Sequence, residues 1–238
     1  AHEMNGTWYP WGQQPQAYVE AYRTVASAVH ALAPASAMAW APNEGSGYPF
    51  TGGPFTSADP SLDTNGDGEI TKTDDPYAPY WPGDDAVDWV GMSVYHWGLE
   101  YPWGENEMPA AGEFRALLTG AVSGAHDGQI PIPDFYATYA DGHAKPMGVF
   151  ETAALFNPSA AGPEESDLKA AWWRQVTDAA VRDEFPRLAM LNWFEWRKDE
   201  PEVGGIVDWR LTSDPELARQ LIAETEGGWL RFGGLGGE

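Results

Sequence analysis

The apolar positions of this chain switch between two periods. After Pro15 they fall at Tyr18, Tyr22, Val25, Val29 and Leu32, alternating steps of four and three that predict an amphipathic helix ending near Pro34. Ala37 to Ala41 ("AMAWA") then reads as a short apolar strand closed by Pro42-Asn43. Residues 43–86 are rich in Gly, Pro and Asp and predict a long inserted loop, a length that is usually functional or pinned by something. "VDWVGMSVY", 87–95, reads as a buried strand, and an aromatic loop covers 98–109. A helix is predicted over about 111–124, with Phe114, Leu117, Leu118 and Val122 on one face, and a short one near Phe135 to Tyr139. "PMGVFE", 146–151, is another buried strand, ending on a glutamate. Pro163-Glu164-Glu165 opens a helix whose inner face is Leu168, Trp172, Val176 and Ala180. "LAMLNW", 188–193, is the last strong strand, and Asp214-Pro215-Glu216 supplies cap, first-turn proline and acid for a final helix through Leu217 and Leu221 to Gly227.

Strands and helices therefore alternate, and the strands are nearly continuous apolar runs. That pattern belongs to parallel α/β proteins, either a doubly wound sheet or a (β/α)8 barrel. The polar residues choose between them. Asn43, Tyr95-His96, Glu151 and Trp193 all fall at the carboxyl ends of different strands, which is where barrels carry their chemistry. Composition narrows the partners. Acidic residues outnumber basic ones 36 to 13, for a net charge of −23, which excludes nucleic acid and disfavours anionic membranes. There is no cysteine, hence no disulfide, thiol chemistry or Cys-ligated zinc, and no apolar run approaches a membrane span. Thirteen tryptophans, many beside Gly, Pro or Asp (Trp8, Trp11, Trp81, Trp97, Trp103, Trp196), point to stacking on the flat faces of a neutral ligand.

Retaining glycosidases need two carboxyl groups about 5–5.5 Å apart. Glu3 ends one would-be strand and Glu151 another three strands later, so a barrel can aim both at its axis. The strings "HEMNGTWYPWG", "DWVGMSVYHWG", "GVFETA" and "NWFEW", in this order and spacing, resemble glycoside hydrolase family 26, whose type activity is endo-β-1,4-mannanase. The likeness runs from residue 1 to about 225 and implies a (β/α)8 TIM barrel, present from the end of strand 4 through helix 8, so that 1–238 is the C-terminal part of a single catalytic barrel. It implies that Glu3 is the acid/base and Glu151 the nucleophile. His2 and Tyr95 would orient the nucleophile, Trp8 would stack near the cleavage point, and Trp193 would floor a sugar subsite. His96, Trp97 and Trp103 are further candidate substrate contacts. The strings depart from many bacterial members at "ETAALF", which lacks a glycine shortly after the nucleophile. That departure leaves the substrate subclass open: mannan is the default the resemblance implies, with β-xylan and β-glucan as alternatives. A second reading is a carbohydrate-binding barrel fragment without turnover. The resemblance also implies an extracellular protein, and a part-barrel with raw edges on its strands 5 and 8 is expected to self-associate.

"DTNGDGEITKTD", 63–74, fits the calcium-loop pattern D-x-[DN]-x-[DN]-G. Asp63, Asn65 and Asp67 would supply side-chain oxygens, Gly68 the sharp turn, Glu69 its carbonyl and Asp74 the last ligand, while Ile70 anchors the loop. A structural calcium stiffening the long loop is expected, with no catalytic metal. A calcium-dependent interaction module resembling dockerins is the weaker alternative, since this chain has one such loop and dockerins have two.

Overall fold

The computed structural model describes residues 1–99, 101–121 and 132–232. The chain divides into two compact units. The first comprises 1–95, 112–152 and 187–192; the second comprises 96–111, 153–186 and 193–238.

The first unit is built on helix α1 (Pro15–Leu32) and a sheet whose strands are β1 (Ala39–Trp40), β2 (Trp89–His96), β3 (Met147–Ala154) and β4 (Leu188–Trp193), hydrogen-bonded in the order β1-β2-β3-β4. β1 runs parallel to β2, with Ala39 opposite Trp89 and Trp40 opposite Val90. An isolated parallel bridge from Asn43 to Ser93 carries the pairing past the end of β1. Sequential strands that neighbour one another with helical segments between them make the parallel α/β layout of a partial barrel.

Pro15 opens α1 at a position whose amide would be unsatisfied in any case. The helix ends where Ala33 donates back to the Val29 carbonyl, just before Pro34. Its buried stripe is Pro15, Tyr18, Tyr22 and Ala26. The expected inner positions Val25 and Leu32 are instead 52% and 84% exposed. Trp40 is fully buried, with ring centroids of Trp81, Phe135 and Tyr139 at 4.9, 5.7 and 4.7 Å. Truncating a buried ring of this kind costs about 3–5 kcal/mol. Tyr139 comes from a short π-helix, Tyr136–Asp141, at the place where a short helix is expected. Helix α2 (Glu113–Thr119) stops at Gly120 in a left-handed cap, and the expected continuation through Val122 lies outside the described residues. β3 runs three residues beyond Glu151, so this glutamate sits within the strand rather than at its end.

The second unit holds α3 (Glu165–Val176), α4 (Ala179–Glu184), a hairpin of β5 (Arg197–Glu200) with β6 (Gly205–Asp208), and α5 (Pro215–Thr225). Leu168, Trp172 and Val176 are buried as expected, whereas Ala180 belongs to α4 and is exposed. The break between the two helices is made by Asp178, whose carboxylate accepts from the Ala180 amide and starts a new helix. Asp214 caps α5 in the same way through the Glu216 amide. The hairpin has no strong apolar alternation and was not expected from the sequence.

One buried charge in the first unit yields a test. Glu44 follows Asn43 and accepts from the Ser46 amide at 2.8 Å and the Ser46 hydroxyl at 2.6 Å. Burial pushes its carboxyl from the ordinary 4.5 up to about 7, against the pull of the Ser46 donors. As pH rises through this window the unfolded chain gives up the proton first, so the folded state loses stability between about 4.5 and about 7. Glu44→Gln keeps the Ser46 contacts without the charge. Its unfolding free energy relative to wild type, read by urea denaturation, should therefore rise from pH 4.5 to pH 8 by an amount on the order of 1–3 kcal/mol. A difference that does not vary with pH would contradict this.

Candidate active site

The site lies in the first unit and begins with the first dozen residues. Glu3 donates its amide to the Ala41 carbonyl at 2.7 Å, which docks the segment on the edge of β1. Its φ is +52°, a left-handed conformation that a glutamate adopts only when its surroundings hold it there. Two residues on, the Asn5 side chain pairs with the backbone of Asn43. Gln13, 2% exposed, donates to the Pro49 carbonyl at 2.6 Å and accepts from the Ser57 amide at 2.8 Å, which fastens the far end of the segment. Gly6 is required by packing: a Cβ there would lie 2.4 Å from the Trp8 ring, which folds back over it.

That fold-back lets the Trp8 indole N–H donate to Glu3 Oε2 at 2.7 Å, while the ring meets Phe50 edge-on at 5.3 Å. On the facing side, the Tyr95 hydroxyl donates to Glu151 Oε2 at 2.6 Å, and His2 Nε2 lies 3.3 Å from Glu151 Oε1 and 4.0 Å from Glu3 Oε2. One ligand atom each from His2, Glu3 and Glu151 can be chosen so that all three lie within 4.8 Å of one another. Two carboxylates and an imidazole at this range also form a donor set that could take a divalent cation. The carboxylate oxygens bonded to Trp8 and Tyr95 are, however, already engaged by protein donors.

Electrostatics separates the two glutamates. Glu3 is 7% exposed, and its burial raises the carboxyl above the ordinary value; the negative charge of Glu151 adds to the effect, while Trp8 and the nearby Ser93 hydroxyl work against it. Glu151 is half-buried and holds both a phenol and an imidazole. His2 is raised by its hydrogen bond to Glu151, with burial opposing and the charges of Glu3 and Glu151 adding. The arrangement thus pairs a carboxyl biased toward the protonated form with one presented among donors.

Of the residues expected from the sequence, His2, Glu3, Trp8, Tyr95 and Glu151 come together here. Trp193, His96, Trp97 and Trp103 belong to the second unit. Trp193 donates its indole N–H to the Trp209 carbonyl at 2.7 Å and packs against the cluster of Ala170, Trp173, Leu211 and Leu217. His96 is corrected outright: it is 1% exposed, bonds the Glu107 carbonyl at 2.8 Å and lies beside Trp172, so it is a packing group with no surface for a sugar. Trp97 and Trp103 are half-exposed, 6.5 Å apart, and Tyr101 meets Trp103 edge-on at 6.0 Å. Asn5, Ser93 and Phe50 escaped sequence reasoning. Asn5 sits inside "HEMNG", the signal that could have found it; Ser93 and Phe50 carry none.

In the 63–74 loop, Asp63 accepts from the Gly66, Asp67 and Gly68 amides, and Asn65 and Asp67 accept from the Asp67 and Glu69 amides. Gly68 takes a φ of +91°, as the sharp turn expected there requires. Ile70 is half-buried. Asp74 is drawn upward by burial, but the Thr71, Asn65 and Thr64 amides outweigh this and hold its carboxyl below the ordinary value.

The parallel sheet places the chain in the (β/α)8 barrel class, of which it holds a part. Its particular likeness is to the endo-β-1,4-mannanases of glycoside hydrolase family 26. The fold matches a double mutant of the Cellulomonas fimi endo-β-1,4-mannanase with a TM-score of 0.51 at 20% identity, covering 95% of this chain and 39% of that one. A modular endo-β-1,4-mannanase from Cellulomonas fimi, described among glycoside hydrolase family 26 mannanases, matches with a TM-score of 0.50 at 19% identity and the same coverage. Endoglucanase H of Acetivibrio thermocellus is 24% identical over 224 residues, 90% of this chain and 18% of that protein. No family model matches the chain. The chain thus spans well under half the length of each of these proteins. Among the described residues no helix is long and apolar enough to cross a membrane.

The charge pairing is testable directly. Glu151→Gln removes the anion that holds the His2 proton, so the His2 midpoint followed by proton NMR should fall toward or below 6.5. An unchanged midpoint would mean that the two side chains do not interact in solution.

Proposed function

We propose that this chain carries the catalytic pair of a retaining glycoside hydrolase acting on β-1,4-mannan-type plant polysaccharide. The observation that carries the reading is the convergence of Glu3 and Glu151 with ligand atoms within 4.8 Å. This supports a retaining geometry, for which about 5–5.5 Å is typical, over an inverting one, which needs about 6.5–9.5 Å to admit a water. Glu151, oriented by Tyr95 and His2, attacks the anomeric carbon as its bond to the leaving oxygen breaks. Glu3, whose proton affinity burial raises, gives its proton to that oxygen. The same carboxylate then takes a proton from water as water displaces Glu151, restoring both groups. Trp8 fixes the Glu3 carboxyl through its N–H and offers a half-exposed ring to the sugar. Trp193, Trp97 and Trp103 of the second unit are proposed, on the family resemblance alone, as sugar contacts. The likeness to an endoglucanase favours β-glucan as the second substrate to try. Secretion and self-association through sheet edges are further proposals of the same reading.

The test is reducing-sugar release by the purified chain from β-1,4-mannan, mixed-linkage glucan and xylan, beside Glu151→Ala and Glu3→Ala. Hydrolysis is expected on mannan, falling by at least about 10³-fold in Glu151→Ala. The anomeric configuration of the first product, read by NMR, should be retained. Polysaccharide binding with no turnover in wild type would favour the binding-fragment reading, and an inverted product would remove the nucleophile role from Glu151.

Structural calcium in the 63–74 loop is a separate proposal, supported by the turn at Gly68 and the oxygens of Asp63, Asn65 and Asp67, with the Glu69 carbonyl and Asp74 completing the set. Excess calcium should raise the melting temperature over a chelator control, about 2–4 °C for each kcal/mol of binding free energy. Asp63→Ala should abolish the rise. Equal melting with calcium and chelator would discard the site.

A further inference from the structure

We propose that Asn5 is the positioning residue for Glu3, its side-chain amide standing in for a strand that fastens the Glu3 segment to the end of β1. Asn5 is fully buried. Its Oδ1 accepts from the Asn43 amide at 2.8 Å, and its Nδ2 donates to the Asn43 carbonyl at 2.8 Å. A primary amide offers an acceptor and a donor side by side, as one backbone unit of a strand does. Glu3 N bonds Ala41 O on the same edge two residues earlier, so residues 3 and 5 meet alternate residues of β1 and its extension, as a paired strand does. Asn43 in turn is bridged to Ser93 on β2, so the clamp reaches the sheet and not a loose loop.

The clamp has a specific task. Glu3 holds a left-handed backbone conformation, which costs on the order of 1–3 kcal/mol and persists only while neighbouring contacts fix it. The bonds from Glu3 N and the Asn5 amide lie on either side of the strained residue. Without the latter, the part-buried N–H and C=O of Asn43 lose their partner and Glu3 is free to relax away from Glu151. An Asn of the second unit supplies a natural control. Asn106 accepts from the Asn157 amide at 2.8 Å and donates to the Asn157 carbonyl at 2.9 Å, the same pair of bonds with no glutamate of the active pair beside it in sequence.

The proposal rests on the acid role of Glu3, and the experiment separates the two. In the full chain, the Glu3 carboxyl is titrated by carbon-13 NMR in wild type, Asn5→Ala and Asn106→Ala. It should fall toward the ordinary glutamate value in Asn5→Ala and stay raised in Asn106→Ala. A Glu3 titration unchanged in Asn5→Ala overturns the proposal, whether or not the chain turns over substrate. Kinetics supply the second readout. For mannan, which needs a proton on its leaving oxygen, kcat/KM should drop about 10–100-fold in Asn5→Ala. For a dinitrophenyl glycoside, which leaves without one, it should change far less; equal losses on both mean a general structural role. Asn5→Asp adds a pH signature. Its ionised carboxylate repels the Asn43 carbonyl, whereas its protonated form restores both acceptor and donor. Activity relative to wild type should therefore climb as pH falls, and a flat ratio counts against the clamp. Wild type inactive on every polysaccharide sinks the glycosidase reading and leaves the NMR titration to decide Asn5.

Discussion

Two carboxyl groups brought within 4.8 Å resist each other when both are ionised, by about 3–4 kcal/mol at an effective dielectric of about 20. Much of the first unit is arranged around that repulsion. Glu3 answers it by burial, which favours its neutral form, and Glu151 by donors, since Tyr95 and His2 both converge on it. The division biases the pair toward a proton on Glu3 rather than on Glu151. His2 is drawn upward chiefly by its bond to Glu151, while its own charge pulls the Glu3 carboxyl down against the effect of burial.

Holding that geometry makes demands on the backbone. A glutamate at φ +52° must be pinned, and the pins are ordinary groups used in a strand-like way: Ala41 and Asn43 on the edge of β1 receive the Glu3 amide and the Asn5 side chain. Space is made by deletion of side chains. Gly6 lets Trp8 fold back onto Glu3, and Gly91 and Gly148 let the Phe150 ring lie against the sheet next to Glu151, where added Cβ atoms would each come within 2.5 Å of it. Local economy of this kind places the active groups on a sheet rather than on free loops, the condition for sub-ångström precision.

Parts of this were legible in the sequence because their causes are local. Pro15 and Asp214 mark helix starts, the apolar runs at 87–95, 146–151 and 188–193 mark strands, and Gly68 marks the turn in the acidic loop. "HEMNG" and "GVFETA" single out the two glutamates that the structure brings within 4.8 Å of each other. Where the cause is not local, the reading slipped. Val25 and Leu32 follow helical periodicity yet face solvent, because burial depends on what a helix covers. His96 sits at a strand end among aromatics yet is a core group, because only packing against Trp172 decides which way it turns. The β5–β6 hairpin is charged and escaped notice, since its stability comes from pairing and from Trp209 meeting Glu200 at 2.8 Å rather than from an apolar face.

The sequence by itself therefore determined the inventory: which glutamates, which aromatics, the main helices and the apolar strands, and the absence of cysteine chemistry. Only the tertiary structure decided how they meet. It set the distance between Glu3 and Glu151, the strained conformation of Glu3, the bonds between Asn5 and Asn43 and the burial of His96 in the packing of the second unit. The physical reason is that spacing along a chain fixes only neighbours within a turn or a pleat. Proton affinity and side-chain convergence depend on burial and on partners brought from strands far apart in sequence.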